Sequence, residues 1–90
     1  MVEVIDIVAT AATVWGVIAS LAYFVQAAKI WKNKSARDVS LITFIAFSIV
    51  ITLWLLYGIL LNNMPLIIAN SVGIIGAYIV VGLILKFRKS

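Results

Sequence analysis

Two side chains stand out in a chain otherwise short of chemistry. Asn70 carries an amide with two donors and a carbonyl acceptor, a match for vicinal hydroxyls. Trp54 offers a flat π-face and an indole N–H. Both lie inside uncharged stretches, where an unpaired amide costs free energy. Tyr57 follows Trp54 by three residues, so the two share one helical face, and Leu61 completes that face at its outer end. At about 1.5 Å per residue, Trp54 and Asn70 each fall roughly 4–8 Å outward of their helix midpoints and so reach a similar depth. They are candidates to bind a polar, uncharged solute. Packing contacts are the alternative, and Trp54 lies too deep for an interfacial aromatic belt.

What is missing excludes other chemistry. The chain has neither His nor Cys. Thiolate metal sites, disulfides, Cys nucleophiles and the commonest metal ligand go with them. No metal site and no cofactor are expected. The three carboxylates are Glu3, Asp6 and Asp38, and residues 7–28 and 39–85 carry no charge at all. Proton-coupled carriers place a carboxylate or His within the membrane, and intramembrane hydrolases need a base or a metal there. The chain is therefore read as neither an enzyme nor a proton-coupled pump.

The elements that must position these residues follow from composition. Of the 90 residues, 66% are apolar and 11% charged. A soluble domain averages about 45–50% and 25%, and a chain this short leaves too much surface in water to hide the excess. About 20 apolar residues cross a bilayer core as a helix. The first uncharged run suits one span. The second suits two, divided at Asn62-Asn63-Met64-Pro65, since Pro is tolerated in the first turn of a helix. The chain reads as a single all-α domain of three transmembrane helices, at about 5–28, 40–61 and 65–86. An acidic start and a long apolar run do not suit a secretory signal, so the first span is expected to remain.

Charge orients the spans. Lys29, Lys32, Lys34 and Arg37 follow the first span, and Lys86, Arg88 and Lys89 follow the third, while the start and the 62–64 turn have no Lys or Arg. The basic side faces the cytoplasm. The N-terminus is thus expected outside and the C-terminus on the cytoplasmic side of the membrane. Both basic clusters flank apolar runs, so no nucleic-acid partner is expected. Ser35 to Asp38 has capping-box-like spacing, Ser40 is a second candidate cap, and Asp38 is a candidate cytoplasmic gate contact.

Small residues every fourth position let membrane helices approach closely. Span 1 offers Ala12, Gly16 and Ser20, and span 3 offers Ala69, Gly73 and Ala77. Span 2 is bulkier, with Phe44, Phe47, Ile51 and Trp54 at its centre. Spans 1 and 3 are expected to pack most tightly, with span 2 outside that contact. Three touching helices of about 10 Å diameter leave no lumen. A pathway therefore needs at least two copies with their polar faces turned inward.

At this point the chain resembles the SemiSWEET group of bacterial sugar transporters, in the PQ-loop superfamily. The resemblance runs through Gln26-Ala-Ala-Lys29, Ser35-Ala-Arg-Asp-Val-Ser40, Trp54-Leu-Leu-Tyr-Gly-Ile59 and Ile68-Ala-Asn70, and covers nearly the whole chain. It implies a parallel homodimer of three-helix bundles with spatial order 1-3-2, moving mono- or disaccharides without ion coupling by alternating access. It places Trp54 and Asn70 in a central sugar pocket and Tyr57 in the outer gate. The family's Pro-Gln hinge pair is here Val25-Gln26, and Val restores the backbone hydrogen bond that Pro removes. Some relatives carry an Arg four residues after the Tyr and an Asp six after, where this chain has Leu61 and Asn63. Apolar Leu61 with Tyr57 is the expected gate instead. A non-transporting protein, such as a holin-like pore former or an assembly subunit, is the competing reading, and it has no use for a mid-membrane Trp and Asn at matched depth.

Overall fold

The computed structural model describes residues 2–88, so Lys89 of the basic tail lies outside the described residues. Three helices follow one another: α1 (Val2–Asn33), α2 (Leu41–Leu60) and α3 (Met64–Phe87). Each is long and apolar enough to cross a membrane, and hydrocarbon demands such helices because every backbone polar group must be paired internally. α1 runs past the expected span at both ends. Leaving the membrane does not end a helix; a change of backbone conformation does, and that comes at Lys34, whose φ is +53°.

The α2–α3 turn closes by a Schellman arrangement. Leu61 caps α2 and Asn62 takes the left-handed conformation at φ +52°, which Asn adopts more readily than most residues. Asn62 N–H then donates to Ile59 O at 3.1 Å and Asn63 N–H to Gly58 O at 2.9 Å. Asn63 caps α3 at once, its Oδ1 accepting from Leu66 N–H at 3.1 Å, and Pro65 falls in the first turn. At the other end Ser40, rather than Ser35, caps α2, its Oγ accepting from Thr43 N–H at 3.2 Å. Ser35 instead folds the loop, its Oγ accepting from Arg37 N–H at 3.3 Å.

α3 lies between α1 and α2, parallel to the first and antiparallel to the second, and its contact with α1 is the more extensive. The small residues decide how closely the helices approach. A Cβ on Gly16 would sit 2.8 Å from Ala69 Cβ, and one on Gly73 would sit 3.1 Å from Ser20 Oγ. Gly76 backs onto Tyr23, where a Cβ would lie at 2.7 Å, and Ala77 is wholly buried. Ala12 is exposed. It stands level with the first turn of α3, where little of that helix is present to cover it. Gly58 makes a similar approach on the α2 side, where a Cβ would meet Leu66 Cβ at 2.7 Å. A core of Ala27, Ile30, Ala36, Val80 and Ile84 closes the basic end. Ala36 N–H, in the loop, donates to Phe87 O at 3.4 Å.

The Cα trace measures 52 × 22 × 14 Å. The short axis exceeds the ~5 Å Cα diameter of one helix, so the three helix axes do not lie in one flat layer, and the row has a side on which α1 and α2 meet, its concave side. On the concave side α1 and α2 reach across α3: the Tyr23 ring meets Phe44 edge-on at 6.1 Å and Phe47 at 6.4 Å.

Candidate functional site

The concave face holds a cleft of about 370 Å³ lined by all three helices. Ser20, Tyr23 and Gln26 come from α1, Phe44 and Ile51 from α2, and Asn70 and Gly73 from α3. No charged side chain lines it. Asn70 Nδ2 donates to Leu66 O one turn back at 2.8 Å. Its Oδ1 has no partner among the described residues and is not sealed in protein, so it remains an open acceptor in an apolar setting. Ser20 Oγ donates to Ala69 O at 3.1 Å, which ties α1 to the residue preceding Asn70. The floor is Gly73, where a Cβ would crowd Ser20 Oγ at 3.1 Å and rest in ordinary contact with Ile51. The arrangement can hydrogen-bond a neutral polar solute and offers nothing that would take up its proton.

Trp54 stands at the depth of Asn70. The two helices cross closely where Gly58 meets Leu66. From there Trp54 is four residues back along α2 and Asn70 four residues on along α3, both about 6 Å further in. Yet Trp54 does not line the cleft. It is 49% exposed and borders a neighbouring groove with Val50, Leu53 and Tyr57. Its ring packs edge-on against Tyr57 at 5.7 Å. Tyr57, which lines that groove, and Leu61, one turn further out and not among its lining, are about half exposed. Within this chain Trp54 and Asn70 are therefore level but not brought into one cavity.

At the basic end a smaller recess of about 180 Å³ is lined by Gln26, Lys29, Asn33, Ser35, Arg37 and Asp38, among others. Gln26 borders both this recess and the central cleft. α1 is unbroken through Val25 and Gln26, and Val25 is 57% exposed. Sequence reasoning singled out Ser20 and Gly73 only as packing residues and missed Tyr23, Phe44 and Ile51 as lining. The signal available was Ser20, a hydroxyl in an apolar stretch. Which way the aromatic residues turn depends on helix rotation, for which this periodicity carries little signal.

Comparison with known proteins agrees with this architecture. A crystal structure of a bacterial homologue of SWEET transporters superposes with a TM-score of 0.84 at 39% identity, covering 91% of this chain and 99% of that one. The sugar transporter SemiSWEET of Bradyrhizobium diazoefficiens is 43% identical over 53 residues, which is 59% of this chain and 62% of that protein. The sugar transporter SemiSWEET of Leptospira biflexa is 33% identical over 55 residues, 61% of this chain and 65% of that protein. The alignments thus span a little under two thirds of these curated relatives. Residues 3–90 match the family described as sugar efflux transporter for intercellular exchange. With three membrane-crossing helices in the order of the SWEET homologue, the chain is a membrane protein that belongs to this family.

Proposed function

We propose that the chain is a facilitative carrier of a mono- or disaccharide, working as a parallel homodimer by alternating access. The observation that carries this reading is the open Oδ1 of Asn70 in an uncharged cleft at membrane depth. A sugar needs hydrogen-bond partners to leave water, and an apolar wall to receive its C–H faces. The cleft supplies both, and the absence of charge from its lining suits movement without a coupled proton. One protomer cannot enclose a solute, because the bent row of helices is open on its concave side. A second copy facing it across an axis along the membrane normal would close the space and bring two Trp54 side chains to its edge. At about 370 Å³ per copy, the half-site sits near the lower end of ordinary ligand pockets, roughly 300–1,000 Å³.

Tyr57 with Leu61 would then close the outer mouth. Asp38 belongs to the cytoplasmic side with the basic loop, and Val25-Gln26 stands where α1 would flex. The orientation follows from the basic loop and tail, with the N-terminus outside. The test is uptake of radiolabelled glucose and sucrose into proteoliposomes with no ion gradient imposed. Saturable uptake in the wild type, lost in Asn70→Ala and in Trp54→Ala while the dimer persists, is expected. Normal uptake in Asn70→Ala would remove the cleft from the pathway.

A further inference from the structure

The basic end carries a cluster that the carrier reading does not use. Trp31 lies near the end of α1, Lys34 opens the loop, and Lys86 and Phe87 close α3. Lys34 Nζ sits 3.5 Å from the centre of the Trp31 ring, and Lys86 Nζ sits 5.0 Å from the same centre. Both ammoniums also lie beside Phe87, at 5.6 and 5.4 Å, and the two rings meet edge-on at 6.1 Å. The ammoniums are therefore no farther apart than their two distances to the indole combined.

A ring quadrupole attracts each cation but carries no net charge, so two like charges gathered over it are left uncompensated. The last carbonyls of α1 and α3 offer only a partial negative charge. Among the described residues the one side-chain carboxylate at this end, Asp38, lines the separate recess with Lys29 and Arg37. Among the described residues neither Lys34 nor Lys86 makes an ion pair. Trp31 is 51% exposed at the end of a membrane-crossing helix, the level at which indoles settle between hydrocarbon and water. Lipid phosphates lie at that level too, and basic pockets between helix ends bind anionic headgroups.

We propose that Lys34 and Lys86 together hold the headgroup phosphate of an anionic phospholipid, with the Trp31 and Phe87 rings as the platform that fixes both ammoniums. The site lies at the opposite end of α3 from Asn70 and does not depend on what the cleft carries.

The test reads Trp31 itself. A Trp15→Phe, Trp54→Phe protein, whose one remaining indole is Trp31, is placed in phosphatidylcholine vesicles with increasing brominated phosphatidylglycerol or brominated phosphatidylcholine. Bromine quenches only the indole it reaches, so the two curves give the relative affinity of the lipid at this position. Phosphatidylglycerol is expected to be preferred about fivefold or more, the gain of roughly one well-placed lysine at a membrane surface. Lys34→Gln with Lys86→Gln is expected to abolish the preference, whereas Lys32→Gln with Arg88→Gln, which removes as much charge nearby, is expected to keep most of it. Equal quenching by both lipids in the Trp31 protein overturns the proposal without reference to any lysine variant. An equal loss in both pairs of variants also overturns it, showing diffuse surface charge. Inorganic phosphate added at constant ionic strength is expected to change nothing. If it erases the preference, the site takes a free anion and the lipid assignment fails.

Discussion

The α1–α3 contact makes a strong claim about a single methyl group. A Cβ built on Gly16 would lie 2.8 Å from the Cβ of Ala69. Carbon atoms rest about 3.5–4.0 Å apart, so Gly16→Ala demands that the helices part by roughly 0.7–1.2 Å there. The neighbouring Ser20–Ala69 hydrogen bond, at 3.1 Å, would stretch with them. Overpacking of this kind costs about 1–3 kcal/mol. The atom in the way is the side chain of Ala69 rather than its backbone, so Ala69→Gly should remove the obstacle. The double variant then moves one methyl group from α3 to α1 across an otherwise unchanged contact. It is expected to recover most of the loss, with a coupling of at least about 1 kcal/mol between the two sites. Unfolding by SDS titration in mixed micelles, monitored by Trp fluorescence, measures all four corners of the cycle. Additive effects would refute the reasoning, since they would mean that the two residues do not face one another.

Other variants probe the caps, the hinge and the cleft. Asn63→Ala removes the acceptor for Leu66 N–H at the head of α3 and is expected to cost about 0.5–2 kcal/mol in the same titration; an unchanged midpoint would show that water replaces the cap. Ser20→Ala deletes the Ser20–Ala69 bond and is expected to cost about 0.6 kcal/mol, the average for hydrogen bonds between membrane helices. Its effect on sugar uptake should be smaller than that of Asn70→Ala, and a reversed order in the proteoliposome assay would make Ser20 the principal binding group. Val25 is well exposed on an unbroken α1, so Val25→Pro frees the Leu21 carbonyl and crowds it with the ring, kinking α1 at an exposed face. A folded dimer with retained uptake is expected, and a protein that fails to assemble on size exclusion would show that α1 must stay straight.

The limits of legibility are specific to particular residues. Span number and the place of the turn were open to reading because uncharged length and the Asn62–Pro65 break are local properties. The closeness of α1 to α3 could also be read, since Gly16, Ser20, Ala69 and Gly73 recur with the period of one helical face. Glycines without such a repeat gave no notice: Gly58 and Gly76 make equally close approaches, but each is recognisable only when the partner helix is in place.

The site divides along the same line. Sequence by itself put Asn70 and Trp54 at one depth, because each lies a similar number of residues outward of its helix midpoint and the rise per residue is fixed. Only the tertiary structure decided that Asn70 enters the cleft while Trp54 remains beside it. That outcome depends on the rotation of α2 about its axis and on the bend of the helix row. Tyr23 reaching to Phe44 and Phe47 and Thr52 Oγ1 lying 2.8 Å from Tyr78 Oη are tied to the same geometry. These helices are apolar nearly all round, so the solvent pattern that reveals a buried face in a soluble helix is absent here. Lys34 near Trp31 is a neighbour within one segment, but Lys86 and Phe87 join them from the far end of the chain. Long-range placement of that kind comes from packing, and a linear sequence of apolar residues does not encode it in any local pattern.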